Sequence, residues 1–245
     1  MLIIGHRGAA GLAPENSLES LRLAFDAGAD ILEFDVRLTK DNVPVIIHDK
    51  TTARTHKTNQ TIAKTTYKEL KKHTKDLHIP TLDEVLDEFF GKVILNIEIK
   101  ARGSAKTVLK TLKPRIKRKS DWDHIIISSF HSGELVAARK ASEHVNLGLL
   151  HSQNPFIFIA YHRRLDLTAV GFHRLYINTF ALDIAKRAGI FTYAYTINRT
   201  ATAFNFAQKG IDGIVTDRPD TILSALHPHK KGRRVTKKSK QKSQD

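Results

Sequence analysis

The chain has 245 residues, 41% of them hydrophobic and 27% charged, a balance that excludes a disordered or membrane-spanning chain and a length that one α/β barrel or doubly wound sheet fills alone. It contains no cysteine, which removes disulfides, thiolate nucleophiles and Cys-ligated zinc, so any metal must be held by oxygen or imidazole. The formal charge of +15 is uneven: the last sixteen residues hold eight Lys or Arg against one Asp, leaving +8 for residues 1–229.

The first expected element is a strand two residues in, "LIIGH", whose apolar run stops at His6 and Arg7. A secretory leader needs a basic start and an unbroken apolar middle, and the longest apolar run elsewhere, "NPFIFIAY", is too short to cross a bilayer. The chain is therefore expected to begin near Met1 and to be cytoplasmic. A helix over 17–27 follows, then a second strand, "DILEFDVRL". An excursion over 39–80 contains the strand "VPVIIHD", which the turn "TKDN" folds back antiparallel to "EFDVRL". That hairpin returns His48 to the level of Glu33 and Asp35, within side-chain reach of both.

From there short β-branched or apolar runs alternate with amphipathic stretches. The helix "TLDEVLDEFF" precedes the strand "KVILNIEI", which leads to a helix over 104–118. "HIIISS" leads to 131–141, "VNLGLL" to a weaker helical stretch, "LDLTAV" to 179–188, "IFTYAYTI" to 200–209 and "DGIVT" to 219–226. Eight strand-then-helix units in about 230 residues match a (β/α)8 barrel, with a doubly wound open sheet as the competing arrangement. The fold class expected is α/β, a TIM barrel over 1–228 followed by a disordered basic tail over 229–245. That tail has too few apolar residues to order itself and is read either as a weak tether to nucleic acid or an anionic membrane, or as a dispensable solubilising extension.

Ionisable residues in strands that are apolar on both faces are costly unless paired or metal-bound. Glu33 and Asp35 are two apart and share one side of their strand, Glu98 and Lys100 repeat that spacing at the end of "LNIEIK", and His6 ends the first strand. All fall at the C-terminal ends of parallel strands, where barrel enzymes keep their chemistry. Three crowded carboxylates repel, and a divalent cation relieves that conflict; an oxygen-only set suits Mg²⁺ or Ca²⁺ better than zinc. Arg7 and Lys100 add fixed positive charge, and the small residues of "GAAG" let a backbone approach an anion, so the expected guest is a phosphate. His6 and His48 fit general acid and base roles beside it, the competing role for either being metal ligand.

These residues resemble those of the glycerophosphodiester phosphodiesterase family, through "HRGAAGLAPENS", "GADILEFDVRLTKDNVPVIIHD", "IPTLDEVL", "LNIEIK", "ISSF", "YTIN" and "GIDGIVTDRPD". The resemblance implies a (β/α)8 barrel with a small insertion after the second strand. It also implies metal-dependent hydrolysis of glycerophosphodiesters to glycerol 3-phosphate and an alcohol. Carried over by position, His6 and His48 match the catalytic pair, Glu33, Asp35 and Glu98 the metal ligands, and Arg7 and Lys100 the phosphate contacts. Glu15 matches the acid of "PEN", with stabilisation of the helix start as its alternative role. Arg54 also matches, although the insertion here is short and basic and lacks the expected glycine. Ser17 replaces the usual Thr, and Tyr195 the usual Trp, which puts the preferred alcohol in question and leaves the reaction in place.

Phe130, His173 and Tyr195 are further candidates for the substrate pocket, with core packing as the alternative for Phe130 and Tyr195 and a plain surface position for His173. Asp217 is expected to be structural. Two rivals remain at this point: a phospholipase D-like enzyme acting on lysophospholipids, and a binding protein for nucleic acid or anionic surfaces built on an inactive barrel. The oligomeric state, the choice between Mg²⁺ and Ca²⁺ and the alcohol released are not readable from sequence.

Overall fold

The computed structural model describes residues 1–151 and 153–228. Nine strands form one sheet: β1 (Leu2–Gly5), β2 (Ile31–Leu38), β3 (Pro44–Ile46), β4 (Ile94–Ile99), β5 (Ile125–Ser129), β6 (Asn146–His151), β7 (Ala169–His173), β8 (Phe191–Tyr195) and β9 (Gly213–Thr216). Eight of them are parallel and close through β1 pairing with both β9 and β2, which makes the molecule a (β/α)8 barrel and rejects the open sheet. β3 lies antiparallel on β2, with Val36 opposite Ile46, as the hairpin predicts. Asn42 takes the left-handed conformation (φ +62°) that its tight turn needs.

The helices are α1 (Leu18–Ala27), α2 (Ala53–His56), α3 (Tyr67–His73), α4 (Leu82–Phe89), α5 (Ala105–Leu112), α6 (Ser132–Ala141), α7 (Ile157–Leu165), α8 (Thr179–Arg187), α9 (Thr200–Gln208) and α10 (Pro219–Leu226). Their ends follow local chemistry. Ser17 caps α1 and exchanges hydrogen bonds with Ser20, so replacing Thr by Ser keeps the cap, and Gly28 closes the helix in the left-handed region (φ +95°). Thr81 and Glu84 form a capping box on α4, and Pro219 opens α10.

Alternation along the strands sorts the side chains into two layers. Leu32, Phe34, Val36, Leu95, Ile97 and Ile99 pack outward against the helices, whereas Ile4, Ile31, Leu150, Ala169, Tyr193 and Val215 fill the barrel axis. The 39–80 insertion carries its own small core of Val45, Ile47, Ile62, Leu70 and Ile79, and adds α2, a 3₁₀ turn at Ile62–Lys64 and α3 to the single strand expected there.

Two expected elements differ from the structure. The helix placed at 104–118 stops at Leu112, because Pro114 supplies no N–H to carry the hydrogen-bond ladder further. The strand placed on "LDLTAV" starts later, at Ala169: α7 absorbs Leu165 as its last residue, and Asp166 ends that helix in the left-handed region (φ +48°). The expected basic tail over 229–245 lies outside the described residues. No helix among the described residues is long and apolar enough to cross a membrane.

Candidate active site

Strand register gathers the acids. Asp35 on β2 lies directly opposite Glu98 on β4, and Glu33 opposite Asn96. Because β2 is buried on both faces, Glu33 and Asp35 have only the barrel mouth to point into, and one carboxylate oxygen from each of Glu33, Asp35 and Glu98 lies within 4.8 Å of the others. Burial, reinforced by the Asp35 charge, pushes the Glu33 and Glu98 carboxyls up from their ordinary value. Burial opposes ionisation of Asp35 as well, but Lys100 and Arg7 outweigh it and hold that carboxyl down. Glu33 Oε2 accepts the Arg7 backbone N–H at 2.8 Å, while its Oε1 is buried with no hydrogen-bond donor. Two carboxyls held up beside a third, with an orphaned oxygen among them, are a donor set that fits a divalent cation.

Arg7 and Lys100 are locked to the same acids. Lys100 Nζ lies 2.6 Å from Glu98 Oε1 and 3.4 Å from Asp35 Oδ1, and Arg7 Nε lies 3.2 Å from Asp35 Oδ2. Arg7 occupies the left-handed region (φ +49°), held there by its N–H on Glu33 and by its carbonyl, which accepts from Ser20 Oγ and the Asn16 N–H. The "GAAG" glycines serve packing. A Cβ on Gly8 (φ +82°) would meet the Ser20 backbone at 2.4 Å, so the loop's small residue admits helix α1 and not an anion.

Each imidazole has its own carboxylate. His6, just past β1, contacts Asp217 Oδ1 through Nδ1 at 2.6 Å, and Asp217 Oδ2 accepts from Asn198 Nδ2. His48, just past β3, contacts Asp49 Oδ1 through Nδ1 at 2.7 Å, and its carbonyl accepts from Arg37 Nε at 2.7 Å. Their environments differ. Burial works against a charged His6, but Asp217 and Glu33 overcome it and raise its pKa, whereas for His48 burial prevails over Asp35 and Asp49 and lowers it. His6 thus feels the charge of Glu33 and His48 that of Asp35.

Glu15 and Arg54 join the insertion to the barrel. Arg54, on α2, donates to both Glu15 oxygens at 2.8 and 2.6 Å and to Asp49 Oδ2 at 2.7 Å, and Glu15 Oε1 also accepts from Arg7 at 2.7 Å. Arg54 and the His48 contact hold the Asp49 carboxyl down at about 2. A continuous path of ion pairs therefore runs Arg7, Glu15, Arg54, Asp49, His48, in which Glu15 buttresses Arg7 instead of merely facing a helix start.

The opposite wall is aromatic. His6, Glu33, Asn96, Glu98, Phe130, Leu150 and Tyr195 surround a recess of about 40 Å³ at the barrel axis. Phe130 is 42% exposed and so is no core residue; its ring meets Tyr195 edge-on with centroids 6.0 Å apart, and Lys100 Nζ stands 5.5 Å from its centroid. The Tyr195 hydroxyl donates to the His151 carbonyl at 2.7 Å. His173 lies opposite Tyr195 on β7, 5.8 Å between rings, and so sits on the same rim and not on an unrelated surface.

Sequence reasoning passed over four residues that the fold brings in. Asp217, expected to be structural, touches His6 directly; Asn198, Asp49 and Asn16 complete the set, Asn16 donating to Asp35 Oδ2 at 2.9 Å while its Oδ1 accepts the Asp35 N–H. All four fall inside the quoted motifs, one to three residues beyond a strand end or in the "PEN" turn, and that position was the available signal.

Residues 6–221 match the model of the glycerophosphoryl diester phosphodiesterase family. A glycerophosphodiester phosphodiesterase of Caldanaerobacter subterraneus subsp. tengcongensis is 31% identical over 242 residues, covering 92% of this chain and 97% of that protein. Among solved structures, an Oleispira antarctica phosphodiesterase in complex with the product sn-glycerol-3-phosphate superposes with a TM-score of 0.80 at 30% identity, over 92% of this chain and 96% of that one. A glycerophosphodiester phosphodiesterase from Thermotoga maritima gives 0.78 at 29%, over 91% and 97%. The chain belongs to the glycerophosphoryl diester phosphodiesterase family, enzymes that hydrolyse phosphoric diesters.

Proposed function

We propose that the chain hydrolyses glycerophosphodiesters to glycerol 3-phosphate and an alcohol, with Glu33, Asp35 and Glu98 holding a divalent cation and His6 and His48 moving the protons. The observation that carries this reading is the pair of imidazoles, each hydrogen-bonded to its own carboxylate and each coupled to a different member of one buried acid cluster. When bound, Mg²⁺ or Ca²⁺ supplies positive charge to the phosphoryl oxygens. Arg7 and Lys100 add fixed charge beside the same carboxylates, where negative charge grows on the diester in the transition state.

His48, held toward the neutral form, accepts the proton of the glycerol hydroxyl next to the phosphate as that oxygen attacks phosphorus. His6, held toward the protonated form, donates to the alcohol oxygen as its bond to phosphorus breaks. Water then opens the cyclic phosphate with the proton transfers reversed. Asp217 and Asp49 fix the ring orientations through Nδ1, leaving each Nε2 for the chemistry.

A lipid diester is the second reading, favoured by one observation: Leu175, in the turn after β7, is 72% exposed and Phe180, in the first turn of α8, 64%, both following the strand that carries His173. The proposed weak association of residues 229–245 with anionic membrane or nucleic acid rests on their charge alone. Incubation with glycerophosphocholine and with lysophosphatidylcholine, assaying choline released, decides between the readings. Release from the first at the higher kcat/KM supports the glycerophosphodiesterase, release from the second alone supports the lipid enzyme, and release from neither with any other diester inert overturns both.

A further inference from the structure

Beside the recess lies a second and larger cavity of about 430 Å³, between the insertion and the loops after β4 and β5. Its chemistry is one-sided: Arg37, Lys50, Lys100, Arg102 and His131 line it, with Ile62 among the apolar contacts, and no Asp or Glu does. Among the described residues no carboxylate lies within ion-pair distance of Arg37, Lys50 or Arg102, whereas Arg7, Lys100 and Arg54 at the site itself are all paired. Lys100 is paired with Glu98 and Asp35, and Arg37 feels the Asp35, Asp49 and Glu98 charges, but Lys50 and Arg102 face the cavity with no ion-pair partner among the described residues, and an anionic ligand would supply one.

The cavity also adjoins the site through two residues of its wall. Lys100, whose ammonium contacts Glu98 and Asp35, is part of its wall, and Arg37, another part, donates to the His48 carbonyl. Its insertion side is built: the Ile62 N–H donates to the Lys50 carbonyl at 3.0 Å, and Thr51 pairs with Thr61 in an antiparallel bridge. A phosphodiester at the acid cluster has two arms. The recess at the barrel axis, about 40 Å³, has room for only part of one arm, so the larger basic cavity is the roomier place for the other.

We propose that this cavity is a specificity subsite for diesters whose leaving alcohol carries a second anionic group, a phosphate monoester or a carboxylate, with Lys50 and Arg102 as its freely reaching cations. The inference rests on the hydrolytic reading of the adjoining site.

The test compares four synthetic glycerophosphodiesters whose leaving alcohols are ethanol, choline, 3-hydroxypropionate and 2-hydroxyethyl phosphate, on the full chain with Mg²⁺ or Ca²⁺ added. The two anionic probes are expected to exceed the ethanol probe by about tenfold in kcat/KM, and choline to fall below it, because charge-assisted contacts are the stronger hydrogen bonds. Lys50→Gln with Arg102→Gln, both exposed and outside the catalytic set, is expected to erase that preference while leaving the ethanol probe within about twofold. Equal turnover of all four probes, or an equal loss on all four in the double variant, overturns the subsite.

If no diester is hydrolysed, the hydrolytic reading fails, and calorimetry with 2-hydroxyethyl phosphate under chelator still judges the cavity. Binding that the double variant loses supports it, and no binding overturns it. Inorganic phosphate is the parallel probe: equal binding of that ion together with no preference among the diesters assigns the cavity to free anions and overturns the substrate proposal.

Discussion

The mouth of the barrel is divided. Strands β9, β1, β2 and β4, with the insertion, deliver carboxylates, guanidiniums, an ammonium and two imidazoles. Strands β5 to β8 deliver Phe130, His173, Tyr195 and, on the axis, Tyr193. The charged half is interlocked, since almost every group has two partners and removing one leaves its neighbours buried and unpaired. The aromatic half is held by ring contacts and one hydrogen bond from Tyr195, and its members are separable. In the proposed reading the chemistry falls to the half that tolerates least change, and selection among substrates to the other half and to the basic cavity.

The largest expected break comes from Asp35→Asn, which removes the shared partner of Arg7 and Lys100 and one of the three proposed cation ligands. Diester hydrolysis is expected to fall by at least ~10³-fold in kcat, read in a steady-state assay with either cation. His6→Ala and His48→Ala follow, each lowering kcat by ~10²-fold; near-normal turnover in either would remove that imidazole from the reaction.

The carboxylate partners sharpen the contrast between the two histidines. A neutral base gives kcat/KM a rise with pH centred below the ordinary histidine value of 6.5, because burial holds His48 down, and a protonated acid gives a fall centred above it, because Asp217 and Glu33 hold His6 up against burial. Asp217→Asn removes a raising influence from His6, so the falling limb is expected to move to lower pH, with kcat down about tenfold. Asp49→Asn is expected to move the rising limb in the same direction. Limbs that stay in place in both variants would detach the carboxylates from the titrating groups.

On the aromatic side Phe130→Ala is expected to raise KM several-fold with kcat within about twofold, since the ring bounds the recess and donates nothing. A kcat loss matching that of the histidine variants would end the division of labour. Behind this wall His151 is only 7% exposed, packs on Phe172 with centroids 4.9 Å apart, and has no hydrogen-bond partner on either ring nitrogen. Burial holds its pKa down at about 4, below the ordinary 6.5, so between those values the unfolded chain binds the extra proton. Stability is then full above about pH 6.5 and is lost as pH falls toward 4, by on the order of 3 kcal/mol. His151→Leu is expected to flatten that slope in chemical unfolding at pH 5 and pH 8, with hydrolysis unchanged; an identical slope in the variant would contradict it.

The two halves also differ in how far the sequence exposes them. Glu33, Asp35 and Glu98 stand out because an ionisable residue inside an apolar strand has few physical excuses, and period-two alternation then aims all three at one place. The barrel was legible for the same reason, apart from α7 and β7, where "IFIAYHRRL" and "LDLTAV" are apolar enough for either state and only Asp166 marks the break. Asp217, Asn198 and Asp49 sit just past strand ends, where polar residues are ordinary, so nothing local separates a carboxylate that orients an imidazole from one that caps a turn. Phe130 and Tyr195 are ambiguous for the converse reason, since an aromatic residue at a strand end suits core and pocket alike. The basic cavity was not legible at all. Its cations come from four separate loops and strand ends, and only the closed barrel with its docked insertion brings them together.

The central claim is that Glu33, Asp35 and Glu98 hold one divalent cation on which hydrolysis depends. Chelator-stripped protein titrated with Mg²⁺ or Ca²⁺, with ion binding by calorimetry and hydrolysis of glycerophosphocholine followed together, is expected to take up one ion per chain, to gain activity in step with occupancy, and to lose both in Glu98→Gln. Full hydrolysis by the stripped protein, or ion binding by Glu98→Gln equal to that of the unaltered chain, would contradict it.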